Sequence, residues 1–359
     1  MLRRNDPDID IYHVDINTQL ILSNVFWSME AVGEIHVLRV VLLVLTGLAV
    51  FLHAVDRLSG ALESMAGGTL QSWLKRYTTH VLSALFVGTV VTMLLDSSSA
   101  VIILTIVLVN SGMMSFRNAL GVVMGANIGT TLSSQIIAFD IGEWSAIPLL
   151  AGLLLEHFGR RADWKRVGAA VFAFGLLFTG LFLMGFAVEP LKDHPRFIVW
   201  LHGLEHPLKG AAIGGVITLV IQSSSATVAM AITLASKGIL SLPAGIAVML
   251  GAELGTCSDT LLATVRCRRQ AIKVGLFHLG FNLISIFLGI LLVHPFTQLV
   301  VWLSGNADVA RSIANAHMLF NVLGVLLFLP FTSLIARLFD HWLPERVMVE
   351  LTVVEEMPA

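Results

Sequence analysis

The sequence predicts an all-α protein that crosses a membrane several times. Of its 359 residues, 56% are hydrophobic and only 13% are charged, whereas soluble domains carry about 25% charged residues. Five stretches contain no Asp, Glu, Lys or Arg, and each is long enough for a helix to span a bilayer. They are residues 118–139, 167–188, 210–236, 274–301 and 312–336. This composition disfavours a soluble enzyme, a disordered protein and a nucleic-acid-binding protein.

The predicted elements follow one another with short connections, which indicates one integral domain. In chain order they are 36–56, 80–110 with an interruption at 96–99, 116–139, 144–158, 167–189, 206–236 with an interruption at 222–225, 240–263, 274–293 and 311–337. Residues 1–35 are a polar N-terminal segment, within which 17–33 is either an interfacial helix or a further crossing. Residues 338–359 are a polar C-terminal tail.

Two short basic loops predict the orientation. Residues 159–166 carry four basic side chains against one acid, and residues 264–273 carry four against none. Short loops rich in Lys and Arg stay cytoplasmic. We therefore expect both loops on the cytoplasmic side, with an even number of crossings between them.

The chain contains an internal duplication. A shift of 126 residues (97 to 223) places Ser97-Ser-Ser-Ala100 on Ser223-Ser-Ser-Ala226, and Gly125-Ala126 on Gly251-Ala252. In a chain rich in apolar residues, leucines match by chance when the sequence is shifted, but small and polar residues do not match in the same order. The alignment therefore indicates a true duplication. We divide the chain into repeat 1 (36–158), the basic loop 159–166, repeat 2 (167–293) and a C-terminal transmembrane segment (294–337).

Parity predicts that the two repeats are inverted. Each holds a leading helix, an interrupted pair that counts as zero or two crossings, and two more helices, so the total is odd. Inverted repeats with interrupted helices at mid-membrane are a transporter architecture. The pattern leaves open whether each interrupted region is a pair of crossings or a re-entrant hairpin. Re-entrant hairpins would open to opposite sides, as alternating access requires.

Three serines in a row inside an apolar helix need hydrogen-bond partners. They point in different directions around the helix, so one packing contact cannot satisfy them all, whereas a helix break can. Helix N-termini attract anions, and hydroxyls and carbonyls coordinate Na⁺. For the two Gly-Ala-x-x-Gly-Thr segments, 125–130 and 251–256, small-xxx-small helix packing is at least half of the explanation.

These motifs resemble the sodium/phosphate cotransporter family (type II Na⁺/Pi symporters), and the chain looks like a bacterial member of it. The motifs are Gln222-Ser-Ser-Ser225 in a duplicated unit, Gly125-Ala-Asn-Ile-Gly-Thr-Thr131, and the His-x-x-Phe-Asn elements at 278–282 and 317–321. The resemblance covers about residues 36–337. It implies Na⁺-coupled symport of inorganic phosphate across the plasma (inner) membrane, with no organic cofactor and with a homodimer as one assembly. The implied substrate and ion site comprises Ser97, Ser98, Ser99, Gln222, Ser223, Ser224, Ser225, Asn127, Thr130 and Thr256, with Na⁺ at the same hairpins.

Two residues depart from the family pattern. Asp96 stands where the first serine motif usually has Gln, and Glu253 stands where the second small-residue motif usually has Asn. Acids within a membrane are functional by default, so both are candidates for holding the coupling cation, Na⁺ or H⁺. The alternative for each is a salt bridge or a place at the mouth of a water-filled cavity. Asp259 and Arg266, nearer the cytoplasmic end, are interpreted as interfacial charges.

Three alternatives remain from the residues alone. The two acids keep open a proton-coupled or exporting carrier of another small anion. A membrane-embedded hydrolase would use a serine with His278 or His317 and Asp96, but no nucleophile elbow is visible. A non-transporting sensor is disfavoured because there is no sizeable soluble domain. We interpret both histidines as hydrogen-bonding core residues and Asn282 and Asn321 as clamps between helices, without a transition-metal site.

Overall fold

The computed structural model describes residues 16–66 and 68–345, with side chains from Leu38 onward. The first half contains α1 (Ile16–Ala66), α2 (Thr69–Arg76), α3 (Val81–Leu95), α4 (Ser98–Asn110), α5 (Phe116–Gly129), α6 (Thr131–Ile137) and α7 (Ala146–Phe158). The second half contains α8 (Ala162–Val188), α9 (Pro195–Leu204), α10 (Pro207–Ile221), α11 (Ser224–Ser236), α12 (Leu242–Gly255), α13 (Cys257–Ala263), α14 (Arg269–Leu291), α15 (Val293–Ser304), α16 (Val309–Phe328) and α17 (Thr332–Trp342).

The predicted all-α membrane class is confirmed. Within the described ranges there is no strand, and six helical stretches are long and apolar enough to cross a bilayer. They are Leu38–Ala66, Phe116–Ile137, Ala162–Leu191, Leu242–Ala263, Arg269–Leu291 and Val309–Trp342. The protein is therefore a multi-pass membrane protein.

The structure adds helices that the hydropathy pattern does not predict. α2, α9 and α15 are short, with eight, ten and 12 residues, and α2 buries only Leu70 and Leu74 on one face. Such helices lack a long apolar run and are stabilised by tertiary packing. The backbone of α1 is helical from Ile16 without a break, so residues 17–33 belong to the same helix as the predicted segment 36–56. The predicted tail begins inside α17, and residues 346–359 lie outside the described residues.

The 126-residue shift also relates the backbones of the two halves. It carries both ends of α3, α4, α5 and α6 onto the ends of α10, α11, α12 and α13 (for example, 98 to 224 and 110 to 236). Residues with positive φ follow the same rule, in the pairs Asp96 and Gln222, Gly112 and Gly238, and Asp140 and Arg266. The duplication therefore extends to the positions where the chain turns.

Small residues let the helices of each half pack closely, as the sequence predicts. A Cβ atom on Gly125 would overlap the carbonyl oxygen of Leu85, and one on Gly251 would overlap that of Ala211. The glycines thereby bring α5 onto α3 and α12 onto α10 with their backbones in contact. This geometry confirms the packing interpretation of both Gly-Ala-x-x-Gly-Thr segments.

Each interrupted unit, α3 with α4 and α10 with α11, starts next to the beginning of the helix that follows it in the chain. In the first half, Asn118 at the start of α5 donates from Nδ2 to the carbonyl of Thr79, which precedes α3, at 3.2 Å. In the second half, Ser241 before α12 donates to Oε1 of Glu205, which precedes α10, at 2.8 Å. The entry of each unit therefore lies next to its exit.

The helices that follow the two breaks each contact the opposite half of the molecule. α4 packs against α13 and α14 of the second half, and α11 packs against α6 of the first half as well as α8 and α16 of its own half. Each serine-capped helix thus contacts the short helix that follows the glycine-threonine segment of the other repeat. This crossed arrangement brings polar residues of both repeats together inside the bundle.

Candidate functional site

The two helix breaks have the same backbone geometry. α3 ends at Asp96 and α10 ends at Gln222, both in the left-handed region, with φ of 49° and 59°. The next residues are extended and act as N-caps: Ser97 Oγ accepts from the amide of Ala100, and Ser223 Oγ accepts from the amide of Ala226, each at 3.2 Å. A non-glycine residue in the left-handed region costs about 1–3 kcal/mol and clusters at functional sites. The predicted interruptions are therefore real breaks that start α4 and α11.

The remaining serines lie in the first turns of these two helices. Ser98, Ser224 and Ser225 are buried. Ser99 Oγ donates to Oδ2 of Asp259 on α13 at 3.1 Å. Gln222, in contrast, is exposed. Hydroxyls and free amide N–H groups therefore lie together at the N-termini of α4 and α11.

Asp259 has a different place from the one the sequence suggested. Instead of an isolated interfacial charge, it is a half-buried acceptor for Ser99 and for the neighbouring Ser258, whose Oγ lies 3.1 Å from its Oδ1. Sequence reasoning missed this role because the contact joins residues 160 positions apart. One signal was present in the sequence. The 126-residue shift places Asp259 of α13 on Ser133 of α6 (133 to 259), so the acid occupies the position of a polar residue in the first repeat.

The threonines of the two glycine-threonine segments lie at the junctions between α5 and α6 and between α12 and α13. Thr130 donates to the carbonyl of Asn127 at 2.9 Å, and Thr256 donates to that of Glu253 at 3.0 Å. Their hydroxyls are thus occupied within their own turn. Asn127 is 1% exposed, and its Nδ2 has no hydrogen-bond partner among the described residues. Asn127 therefore keeps a buried donor that a ligand can use.

Glu253 lies in the centre of the bundle against a histidine. Its Oε1 is 2.8 Å from Nε2 of His317 on α16, and Nδ1 of the same ring is 2.7 Å from Oγ of Ser134 on α6. Glu253 is 1% exposed and His317 is fully buried. Asp96 lies in the neighbourhood of Ser133 and His317. Of the two acids that depart from the family pattern, Glu253 thus contacts this imidazole directly, and Asp96 is nearby.

His278 on α14 makes an equivalent contact with α13, but no carboxylate is bonded to its ring. Its Nδ1 is 2.8 Å from Oγ1 of Thr260 and its Nε2 is 3.2 Å from Nδ2 of Asn282. Asn282 also donates to the carbonyl of Glu253 at 2.7 Å, so it joins α14 to α12 as the sequence suggests. Asn321 instead donates to the carbonyl of His317 on its own helix.

The donor set suits a small hard cation better than a transition metal. No group of three or more His, Cys, Asp or Glu residues converges anywhere in the described ranges. Hydroxyl, carbonyl and carboxylate oxygens at the two breaks are the ligands that hard cations prefer.

Comparison with known proteins identifies the family. The Na+/Pi-cotransporter family model matches residues 50–185 and 195–329, one stretch in each half. The chain belongs to the Na+/Pi-cotransporter family. Its members are transporters and not enzymes, which removes the membrane-embedded hydrolase.

Three relatives show how far the similarity extends. The chain is 32% identical over 303 residues to the uncharacterized protein YqeW of Bacillus subtilis, covering 82% of this chain and 96% of YqeW. It is 28% identical to the "Putative inorganic phosphate export protein YjbB" of Salmonella typhimurium, covering 84% of this chain but 54% of that relative. It is 30% identical over 146 residues to the sodium-dependent phosphate transport protein 2A of Oryctolagus cuniculus, covering 40% of this chain and 20% of that protein. No solved structure matches the chain.

Proposed function

We propose that this protein is a secondary active transporter that couples the movement of inorganic phosphate to Na⁺ by alternating access. The observation that carries the proposal is the pair of equivalent helix breaks, each followed by a serine-capped helix that faces the opposite repeat. The similarity to a putative phosphate export protein over 84% of the chain, and to a sodium-dependent phosphate transport protein over 40% of it, supports phosphate as the substrate.

Phosphate is expected at the N-termini of α4 and α11. Each helix has 13 residues, and its free N–H groups and dipole favour an anion. The implied ligands are Ser97, Ser98 and Ser99 from the first break and Gln222, Ser223, Ser224 and Ser225 from the second, with Asn127, Thr130 and Thr256 nearby. The unpartnered Nδ2 of Asn127 supports a place for this residue beside the anion.

Alternating access requires that the two units open to opposite sides. The contacts of Thr79 with Asn118 and of Glu205 with Ser241 support re-entrant hairpins, because each unit returns to where it started. Asn110 at the end of α4 accepts from the amide of Arg268 in the basic loop. Lys237 at the end of α11 lies instead beside Gly185, near the far end of α8. These neighbours favour inverted repeats with 159–166 and 264–273 in the cytoplasm of a bacterial cell.

The coupling cation balances negative charge during transport. Asp96 contributes a fixed carboxyl group at the first break, and phosphate adds further negative charge when it binds. A cation must therefore enter the site together with the phosphate. We expect Asp96 to act in coupling. Asp96→Asn should therefore change the Na⁺ or pH dependence of transport, and unchanged dependence on both would contradict this role.

Uptake of radiolabelled phosphate into proteoliposomes tests the proposal. We expect inward Na⁺ gradients to raise uptake over matched K⁺ gradients. Equal uptake in both, at the level of protein-free vesicles, would overturn the proposal. The similarity to YjbB makes export the second candidate for the direction of phosphate transport. Efflux from phosphate-loaded vesicles of known protein orientation distinguishes export from import.

Two serine variants locate the site. Ser98→Ala and Ser224→Ala remove hydroxyls at the two breaks, and loss of a hydrogen bond to an anion costs about 1.4 kcal/mol or more, so uptake at low phosphate should fall about tenfold. Ser111→Ala and Ser236→Ala are matched controls, since their hydroxyls only back-bond at the far ends of the same two helix units. Equal uptake by all four folded variants would place the substrate elsewhere.

A further inference from the structure

We propose that Glu253, His317 and Ser134 form a proton-binding site that links the two repeats. This inference rests on the proposed function for its role in transport, and it adds H⁺ as a second coupling ion. The three side chains belong to α12 of repeat 2, to α16 and to α6 of repeat 1. Their contacts, Oε1 to Nε2 at 2.8 Å and Nδ1 to Oγ at 2.7 Å, form one continuous chain of hydrogen bonds.

Proton counting defines the two states of this chain. With one proton on the imidazole, Nε2–H donates to the Glu253 carboxylate, Nδ1 accepts from the Ser134 hydroxyl, and the pair has a net charge of −1. A second proton binds at Nδ1 or at the carboxylate, the Ser134 hydroxyl then turns to accept where Nδ1 has become a donor, and the net charge becomes zero. Both states keep the hydrogen bonds from His317 to Glu253 and to Ser134.

Burial makes these two states differ in free energy. Glu253 is 1% exposed and His317 is fully buried, and an uncompensated charge in such surroundings is costly. A bound proton removes that charge while the site is closed to water. When the site opens, hydration lowers the cost of the charged state and the proton can leave. The pair can therefore take up and release a proton as access alternates.

The groups that surround the pair support a negative environment. Asp96, at the end of α3, lies in the neighbourhood of His317. Cys257 on α13 approaches the backbone carbonyl of Glu253, with Sγ at 3.7 Å, and His278 on α14 is bonded to Thr260 and Asn282. α6 and α11 carry no ionisable side chain, and Arg311 on α16 is directed to Gln135. Within this described set no Lys or Arg contacts Glu253, so a proton is its available neutralising partner.

The short helix α13, which the 126-residue shift relates to α6, supplies an internal control. His278 bonds Thr260 through Nδ1 as His317 bonds Ser134, and Thr260 lies 126 residues after Ser134 (134 to 260). The Nε2 of His278, however, faces the amide of Asn282 at 3.2 Å, which donates and therefore fixes a neutral ring. Only His317 has a carboxylate at this position, so only His317 can hold two protons at low cost.

Proton movement during phosphate transport tests the inference. Proteoliposomes that enclose a pH indicator report protons moved per phosphate for wild type, Glu253→Gln, His317→Gln and the control His278→Gln. Phosphate itself carries protons near neutral pH, but equally in every variant. We expect the first two variants to move fewer protons per phosphate than wild type, by about one, while His278→Gln matches wild type. An unchanged ratio in a transporting Glu253→Gln variant would overturn the proposal.

A spectroscopic measurement keeps the test independent of transport. Ring ¹⁵N NMR of histidine-labelled protein in lipid, with His317 assigned from the His317→Gln spectrum, should show a change of protonation with pH that Glu253→Gln abolishes. A His317 ring that stays neutral at every pH would overturn the site. Titration of His317 in a protein that moves no phosphate under any gradient would instead retain the site and refute the proposed function.

Discussion

Single hydroxyl groups decide how tightly each helix break is held. At the second break, Thr218 Oγ1 donates to Oγ1 of Thr227 at 2.7 Å and so joins α10 to α11. At the first break, Thr92 occupies the position of Thr218 (92 to 218), but Val101 occupies that of Thr227 (101 to 227). Thr92 Oγ1 accordingly lacks a hydrogen-bond partner within the described residues. The two breaks therefore differ by one cross-helix hydrogen bond.

This difference predicts opposite effects of two isosteric substitutions. Thr227→Val should destabilise the protein by about 1–3 kcal/mol because it leaves the buried hydroxyl of Thr218 without its partner. Val101→Thr should stabilise it by about 1 kcal/mol because it gives Thr92 the missing partner. Thermal unfolding in detergent measures both. A shift of the same sign in both variants would contradict the hydrogen-bond explanation.

At the scale of elements, close backbone contact between paired helices fixes the bundle. Gly125 and Gly251 allow α5 and α12 to touch α3 and α10. The sequence suggested this packing from the spacing of small residues, but the spacing does not name the partner helix. The partner follows only from the fold, which brings Ala211 onto Gly251 across 40 residues of chain (211 to 251).

A glycine series tests that contact. Gly251→Ala should cost about 1–3 kcal/mol, because overpacking forces the backbones of α12 and α10 apart. Gly280→Ala is the matched control: this glycine also lies inside a membrane helix, α14, but nothing lies within 4 Å of the position of a new Cβ. The control should be neutral or gain up to about 1 kcal/mol in helix propensity. Thermal unfolding and phosphate uptake report the two outcomes, and equal stability of both variants would rule out backbone contact as the reason for Gly251.

At the scale of the whole molecule, the proposed inverted relation of the repeats predicts which surface of the membrane each turn reaches. Ser111 follows α4 and Lys237 follows α11, and the 126-residue shift relates them (111 to 237). Ser111 is exposed and Lys237 is half-buried. In parallel repeats these positions would share one face of the membrane, whereas in inverted repeats they lie on opposite faces.

Cysteine labelling distinguishes the two arrangements. In a background without Cys257 and Cys267, we expect Ser111→Cys to react with an impermeant maleimide from the cytoplasmic side and Lys237→Cys to react from the other side. Arg161→Cys in the basic loop should react from the same side of the membrane as Ser111→Cys. Intact cells and inverted vesicles provide the two accessible faces. Reaction of Ser111→Cys and Lys237→Cys from one face would contradict inverted topology.

Much of the architecture could be predicted from the sequence because helices that span a membrane need long runs of apolar residues, which the sequence shows directly. The long spans, both interruptions and the duplication depend on apolar runs and on local residue order, and the helix boundaries follow them. The short helices α2, α9 and α15 could not be predicted, since their stability comes from packing against the bundle.

For the candidate site, the sequence determined which residues to examine, and the tertiary structure decided what they contact. Asp96 and Glu253 stand out in a chain with so little charge, but nothing local links either of them to His317, which lies 64 residues beyond Glu253. Asp259 looked interfacial until α4 and α13 were packed together. The physical reason is that local order fixes helices and their breaks, whereas hydrogen bonds between helices depend on crossings that only the assembled bundle defines.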